Sequence, residues 1–261
     1  MGGRIRVEKD GPLGWLIFDH AERRNAISSE MWAAIPDAAA ELDGDEDVRV
    51  IILRGAGDVA FVSGADISEF AEKRTGAANA ISYEGETGRA FGALMQIGKP
   101  VLAMIHGFCV GGGMATALAA DLRYSADDGV FAIPAGRLGL GYHESGLQAL
   151  VDLVGPATAK EIFFTARRFS SDEALRLGIL TEVFPKAQLE ERVRERALAI
   201  AENAPLTLRS VKRIVRELGR DENNRDREAI ARSITRCFES EDYQEGVRAF
   251  MEKRKPKFHG R

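Results

Sequence analysis

Cysteine is scarce in this sequence of 261 residues, which contains only Cys109 and Cys237. Two cysteines are too few for a disulfide scaffold, so we expect both to be buried, reduced thiols. Histidine is also scarce, and the four residues are His20, His106, His143 and His259. Their positions show none of the spacings that are typical of metal ligands, and we therefore expect no metal site.

The sequence also lacks a long apolar run and a large excess of charge. No run approaches the roughly 20 apolar residues of a membrane span. Residues 1–12 have no apolar signal core and carry acids that a transit peptide avoids. The net charge is −4, which gives no global attraction to nucleic acid or anionic membranes. RNA binding has little support. We expect a cytoplasmic protein that binds neither nucleic acid nor membranes.

What the sequence does contain is the composition of a globular protein, with 45% hydrophobic and 29% charged residues. Short apolar, β-branched runs predict strands at residues 5–7, 15–18, 48–53 and 101–105. The last two runs are almost continuously apolar, which is typical of strands in a sheet that is covered on both faces.

Helical patterns lie between these strands and dominate after about residue 144. Ser28 or Ser29 can cap a first helix, in which Pro36 predicts a kink. Further helices are predicted at residues 81–97, 147–154, 208–218, 230–238 and 247–251. Strands followed by helices indicate an α/β core with a helical C-terminal subdomain. We place the core at residues 1–200 and the subdomain at 201–261.

Two glycine-containing segments, residues 61–67 and 106–114, follow predicted strands and are called the two glycine turns below. The second contains three consecutive glycines, Gly111 to Gly113, before an alanine-rich helix. Consecutive glycines allow a close backbone approach, and N–H groups at a helix start favour negative charge. Such a turn could hold a developing oxyanion. The alternative is that the glycines only pack a helix against a sheet, since a short glycine pattern alone is weak evidence.

Further segments accompany the two glycine turns in a fixed order. They include RRNAIS at 23–28, FVSGADI at 61–67, KPV at 99–101, DLR at 121–123, RLGL at 137–140, FTA at 164–166, EA at 173–174, GIL at 178–180 and the tail at 241–256. Together they resemble the enoyl-CoA hydratase/isomerase (crotonase) family almost from end to end. The resemblance implies an α/β, crotonase-type spiral of ββα units that binds acyl-CoA thioesters as a homotrimer or a dimer of trimers. It implies no cofactor besides the coenzyme A of the substrate.

The resemblance also implies site residues. In the family, backbone N–H groups at the positions of Ala65 and Gly112 hold the thioester oxygen. Two preorganised donors stabilise an enolate, and losing one typically costs about 10²–10³ in rate. The positions that match the family's coenzyme A contacts are Arg24, Ala26, Ser63, Asp66, Ile67, Phe250 and Lys253. A lysine that the family often carries after position 67 is Ser68 here. The C-terminal subdomain would serve oligomerisation and closure of the active site.

The sequence departs from a hydratase of this family at two positions. Such a hydratase has glutamates where this chain has Ala115 and Ala135. Alanine cannot transfer a proton, so the paired-carboxylate addition of water cannot run in the usual way. Candidate catalytic side chains follow at Tyr142, His143 and Glu144. The alternative for these three is helix punctuation, in which Glu144 stabilises a helix N-terminus.

Related enzymes leave the reaction open. Family dehalogenases have a nucleophilic aspartate at the position of His143, so the histidine argues against that chemistry. The methylmalonyl-CoA decarboxylase branch has a tyrosine matching Tyr142 and a similar tail at 240–246, but has a histidine where this chain has Ala65. The sequence predicts an acyl-CoA enzyme that stabilises a thioester enolate, and the alternative is a methylmalonyl-CoA-type decarboxylase. A catalytically silent acyl-CoA-binding protein is the alternative from another class.

Overall fold

The computed structural model describes residues 2–69, 77–142 and 144–261. Within these ranges ten strands form two sheets. They are β1 (Arg4–Asp10), β2 (Leu13–Asp19), β3 (Val50–Gly55), β4 (Ala60–Val62), β5 (Val101–Ile105), β6 (Phe108–Val110), β7 (Leu122–Ala126), β8 (Val130–Ala132), β9 (Phe169–Ser170) and β10 (Glu182–Phe184).

The same ranges contain ten α-helices, and short 3-10 turns precede several of them. They are α1 (Ser29–Gly44), α2 (Ala77–Gln96), α3 (Gly112–Leu118), α4 (Ala135–Leu138), α5 (Glu144–Thr165), α6 (Ser171–Arg176), α7 (Leu189–Ala201), α8 (Pro205–Leu218), α9 (Arg227–Phe238) and α10 (Glu241–Met251).

The two sheets are built from a repeated connection. The larger sheet has the order β1-β2-β3-β5-β7-β10, and all neighbours except β1 and β2 are parallel. The smaller sheet has the order β4-β6-β8-β9, in which β4, β6 and β8 are parallel. The strands β3, β5 and β7 each feed a strand of the smaller sheet and then a helix. Each repeat is therefore a ββα unit, and the units stack side by side.

The hydrophobic core occupies both faces of the larger sheet. One cluster fills the space between the two sheets and the helices α1, α2 and α3. A second cluster lies on the opposite face, where Leu189, Val193 and Ala197 of α7 cover apolar side chains of the strands. Because both faces are covered, β3 and β5 bury almost every side chain. This explains the continuous apolar runs at 48–53 and 101–105.

The predicted elements in the first part of the chain are confirmed, with one difference. The four predicted strands fall within β1, β2, β3 and β5, apart from the first residues of the run at 48–53. Ser28 caps α1 and accepts a hydrogen bond from the N–H of Met31 at 3.3 Å. The helix α1 continues across Pro36 to Gly44, and the kink expected at Pro36 stays a prediction.

The helix predicted at residues 147–154 is confirmed, and its predicted end corresponds to a break at Gly155 inside α5. Gly155 adopts φ 75° and ψ 164°, which are not helical, and the chain resumes a helix up to Thr165. A left-handed φ is readily available to glycine, and Pro156 can begin the second segment because a first-turn proline loses no intrahelical hydrogen bond. The sequence reading did not predict this second segment.

The C-terminal helices α8, α9 and α10 match the predicted helices closely. Ser240 caps α10 by accepting the N–H of Tyr243 at 3.1 Å. Helix α8 is fixed to the core by Lys212, whose Nζ donates to the Lys99 carbonyl at 2.8 Å and to the Asp121 carboxylate at 2.7 Å. The boundary between core and subdomain at residues 200 and 201 stays a prediction.

Two further observations concern the cysteines and membranes. Cys109 and Cys237 are both free thiols. Cys109 is buried, and burial raises the pKa of its thiol, whereas Cys237 is only half-buried, which corrects the expectation that both are buried. Across the described ranges, no helix has the length and apolarity needed to cross a membrane.

Candidate active site

A cavity of about 370 Å³ lies at the carboxyl ends of the parallel strands of the smaller sheet. Its walls come from the chain that directly follows β4, β6 and β8, from one face of α2, and from the segment between α4 and α5. Parallel strands bring their carboxyl ends to one edge, which is where α/β proteins place ligands. Both glycine turns contribute to this edge.

The first glycine turn is held by the segment before α1. The N–H of Ile27 donates to the Gly64 carbonyl at 2.8 Å, and the N–H of Asp66 donates to the Ile27 carbonyl at 2.9 Å. Ile27 and Ala65 therefore form an isolated parallel bridge. Within the described ranges, the N–H of Ala65 donates to no backbone carbonyl. This leaves a backbone donor on the cavity wall.

The second glycine turn uses its three glycines differently. Gly111 adopts a left-handed φ of 53°, which glycine accepts without strain. A methyl group on Gly113 would lie 2.1 Å from the Val62 carbonyl oxygen, so this glycine allows α3 to pack against β4. A methyl group on Gly112 would instead lie 3.5 Å from the Ala65 nitrogen. The packing interpretation therefore applies to Gly113, and Gly112 faces the donor in the other turn.

The geometry thus sets two backbone donors beside each other. Gly112 is the first residue of α3, and the N–H groups at a helix start have no intrahelical acceptor. Both Ala65 and Gly112 line the cavity. A larger side chain at position 112 would meet the Ala65 nitrogen and the Trp32 indole, whose Cζ2 is 3.3 Å from the same methyl position. The space between the two turns suits an oxygen atom of a ligand.

Another part of the cavity, called the acyl wall here, consists of Ala115, Ala135 and Tyr142. The two alanines are 9% and 6% exposed, so this part of the cavity is apolar surface. The Tyr142 ring packs edge-on against Phe163 with centroids 4.8 Å apart. Burial raises the pKa of Tyr142 to about 12. Its hydroxyl stays protonated near neutral pH and can donate a hydrogen bond, but it is a poor base.

The other two residues of the predicted cluster do not join Tyr142 in the described structure. Glu144 is exposed, begins α5, and does not occur among the described residues that line the cavity. Its position fits the alternative in which it stabilises a helix N-terminus. His143 lies outside the described residues.

One ionisable residue of the cavity was missed by the sequence reading. Glu84 of α2 lines the cavity together with Tyr83, Thr87 and Phe91 of the same helix. The Tyr83 hydroxyl is buried and accepts the Nε1–H of Trp32 at 3.0 Å. The spacing of these side chains predicts a helix face, but which structure that face covers depends on tertiary packing. A search restricted to family positions could not find Glu84.

Most predicted coenzyme A contacts lie close together at the first glycine turn. Ser63 and Ile67 line the cavity, and Ile67 is 64% exposed. The N–H of Ser63 donates to the Arg24 carbonyl at 3.1 Å. The Arg24 guanidinium lies over the Phe108 ring, 4.7 Å from its centroid. Ala26 is buried in the same segment.

Asp66, another predicted contact, already has protein partners. Its carboxylate pairs with Arg23 at 3.0 Å and accepts the Ser68 hydroxyl at 2.7 Å. Burial acts to raise the pKa of Asp66, but the Ser68 hydrogen bonds and the Arg23 charge outweigh it and lower the pKa. Ser68 thus stabilises this carboxylate.

The remaining predicted contacts lie elsewhere on the chain. Phe250 is 82% exposed and lines a separate apolar groove among α8, α9 and α10. Lys253 follows α10 and is exposed. Within one chain, the structure does not bring Phe250 or Lys253 to the residues described around the cavity.

Comparisons with known proteins agree with this architecture. The family model for enoyl-CoA hydratase/isomerase matches residues 11–261. The short-chain-enoyl-CoA hydratase of Clostridium acetobutylicum is 32% identical, covering 96% of this chain and 95% of that protein. The carnitinyl-CoA dehydratase of Salmonella typhi is 32% identical over 100% of both chains.

Solved structures show the same fold. An enoyl-CoA hydratase/isomerase family protein from Hyphomonas neptunium superposes with a TM-score of 0.94 at 37% identity, covering 98% of each chain. An enoyl-CoA hydratase/carnithine racemase from Magnetospirillum magneticum also has a TM-score of 0.94, at 33% identity, covering 98% of this chain and 96% of the other. The stacked ββα units and the cavity define a protein of the class that acts on CoA thioesters. The chain belongs to the enoyl-CoA hydratase/isomerase (crotonase) family, and the predicted fold is confirmed.

Proposed function

We propose that this protein is an acyl-CoA enzyme that stabilises a thioester enolate with the N–H groups of Ala65 and Gly112. The observation that carries the proposal is the 3.5 Å approach between the Gly112 methyl position and the Ala65 nitrogen in the cavity wall. Preorganised donors aimed at the developing oxyanion are often the largest single contribution to such catalysis. Coenzyme A is needed only as part of the substrate.

The proposed reaction is not hydration by two carboxylates. The relatives named above are a hydratase and a dehydratase, but Ala115 and Ala135 offer this chain no proton-transfer groups. We therefore propose chemistry at the thioester α-carbon that needs the oxyanion site and at most one base.

Decarboxylation is a second candidate, favoured by the apolar acyl wall. Loss of CO₂ leaves the electron pair of the broken C–C bond on the α-carbon, and its charge moves to the thioester oxygen. An apolar surface solvates a carboxylate poorly and thereby favours its departure. The protonated Tyr142 could orient the carboxylate by a hydrogen bond. No base is required to begin this reaction.

We also propose that the chain assembles as a homotrimer or a dimer of trimers. Exposed apolar side chains on the C-terminal helices support this, among them Val211, Phe238, Phe250 and Met251. Because Phe250 lies away from the cavity of its own chain, its proposed coenzyme A contact would be made to a neighbouring copy. Light scattering should give three or six times the chain mass of 28.5 kDa.

Calorimetry with acetyl-CoA and a longer acyl-CoA tests the proposed function. We expect saturable heats with both, whereas no heat at millimolar concentration would contradict acyl-CoA binding. A panel of thioesters, including a malonyl-type thioester, then separates an enzyme from the catalytically silent alternative. Binding without turnover of any member would favour the silent protein.

A further inference from the structure

We propose that Glu84 is the base of this active site and exchanges the proton on the thioester α-carbon. The inference rests on the proposed function, because it requires an acyl-CoA thioester whose oxygen lies between Ala65 and Gly112. It assigns to α2 the proton transfer that the two alanines of the acyl wall cannot perform.

The position of Glu84 in the cavity wall supports this assignment. Glu84 lies on α2, one face of which lines the cavity whose other walls hold Ala65, Gly112 and the acyl wall. The residues Tyr83, Thr87 and Phe91 of that helix line the same cavity at helical spacing, so this face is turned inward along at least two turns. A carboxylate on it shares the enclosed space with the oxyanion site.

The carboxylate of Glu84 is also available to accept a proton. Glu84 is half-buried, and no described side chain forms an ion pair with it. Its backbone carbonyl accepts the Thr87 hydroxyl at 3.1 Å, which holds the helix turn and does not engage the carboxylate. An unpaired carboxylate that faces a cavity can accept a proton from a ligand.

The other polar groups on the described walls are less suitable as general bases than Glu84. The Tyr142 hydroxyl stays protonated, because burial raises its pKa to about 12. The Tyr83 hydroxyl is buried and accepts the Trp32 N–H. The Ser63 hydroxyl donates to the Arg23 carbonyl at 3.2 Å. General bases are carboxylates or imidazoles far more often than hydroxyls, so Glu84 is the suitable group on these walls.

The step balances without a further reactant. An Oε of Glu84 takes the α-proton, the electron pair of the C–H bond forms the C=C bond of the enolate, and the C=O pair moves to the thioester oxygen. The Ala65 and Gly112 N–H groups stabilise that oxygen. Solvent replaces the proton on Glu84 with a deuteron in D₂O. Return of the deuteron to the α-carbon restores the thioester with one C–D bond.

Deuterium exchange of butyryl-CoA, followed by NMR in D₂O, tests the assignment. The wild-type protein should exchange the α-protons above the rate in buffer. Glu84→Gln should lower this rate by about 10²-fold or more with KM little changed, because general base catalysis contributes 10²–10⁴-fold. Glu86→Gln is the matched control on the same helix, since Glu86 is half-buried but does not line the cavity. It should keep the rate within a few-fold.

A pH profile separates a catalytic role from a structural one. The wild-type exchange rate should fall on acidification, and Glu84→Gln should lose this dependence. Tyr142, another titratable group on these walls, stays protonated over that range because burial raises its pKa to about 12. If Glu84→Gln does not fold, Glu84→Asp decides: it should retain the acid dependence at a lower rate.

The results distinguish this inference from the proposed function. Full exchange in Glu84→Gln, or wild-type exchange that is independent of pH, overturns the role of Glu84 and leaves the oxyanion proposal intact. Wild-type protein that binds butyryl-CoA in calorimetry without exchanging its protons also overturns the role of Glu84. Absence of binding itself would contradict the proposed function.

Discussion

The two sides of the cavity differ in what builds them. The proposed oxyanion side is made of backbone N–H groups in the two glycine turns, and its geometry requires glycine at 113 but accommodates alanine at 65. The acyl wall depends on side chains, and there Ala115 and Ala135 present apolar surface without a proton-transfer group. A site made of backbone survives side-chain change as long as the turn is kept, whereas a site made of side chains changes chemistry with a single substitution.

The largest expected effect concerns hydration and would break this comparison if it failed. We expect crotonyl-CoA hydration to be at least about a hundredfold slower than in a two-glutamate hydratase, since general acid–base help is worth 10²–10⁴-fold. Loss of the conjugated thioester absorbance measures the rate, with the short-chain-enoyl-CoA hydratase of Clostridium acetobutylicum as the reference enzyme. An ordinary hydratase rate would show that another residue replaces the missing pair.

Substitutions of Tyr142 in the acyl wall and of Glu144 beside it should affect kcat very differently, by a factor nearly as large as the expected loss of hydration rate. On a thioester that the protein turns over, Tyr142→Phe should lower kcat by about 10²-fold with KM little changed, because it removes one hydroxyl at the acyl wall. Glu144→Gln should leave kcat within a few-fold, since Glu144 is exposed at the start of α5. His143→Ala completes the series. Equal losses in Tyr142→Phe and Glu144→Gln would contradict the division drawn between them.

A smaller effect sharpens the account of the glycine turn. Gly113→Ala should destabilise the protein by about 3 kcal/mol, because its methyl group would lie 2.1 Å from the Val62 carbonyl oxygen and force overpacking. Thermal unfolding should show a Tm lower by roughly 6–12 °C. Gly92→Ala is the control, because no atom lies within 4 Å of a methyl group added at Gly92. Equal Tm values for both variants would refute the packing role.

The smallest expected effect is on stability and concerns the carboxylate of Asp66 in the first glycine turn. The folded-state pKa of Asp66 is lowered by its net surroundings, so its contribution to stability is present above the ordinary aspartate pKa of about 3.9 and is lost as pH falls through the folded value. Asp66→Asn should cost about 1 kcal/mol at pH 7 and progressively less below pH 4. Urea unfolding at several pH values measures this.

The control for that experiment is Asp37→Asn, since Asp37 is exposed on α1. It should shift stability little at any pH. A penalty for Asp66→Asn that persists unchanged at pH 2.5 would show that the charge of Asp66 is not what stabilises the turn.

Local chemistry in the sequence was enough to predict four strands of the larger sheet and most of the longer helices, whereas the assignment of Ala65 and Gly112 depends on the family resemblance. Three features each depend on a few neighbouring residues and can be predicted without knowledge of the fold. They are the cap at Ser28, the helix end at Gly155 and the two glycine turns. The sequence could not predict which face of α2 lines the cavity, because Glu84 reaches the cavity only through the way α2 packs against the rest of the fold. For the same reason the exposure of Glu144 could not be read from its closeness to Tyr142 in sequence.

The most direct test of the central claim is a crystal structure of the protein with a bound acyl-CoA thioester. We predict that the thioester oxygen lies about 2.7–3.1 Å from the backbone nitrogens of both Ala65 and Gly112, which is the range for oxyanion-hole donors. A thioester bound in the cavity with its oxygen beyond hydrogen-bond distance of both nitrogens would contradict the account.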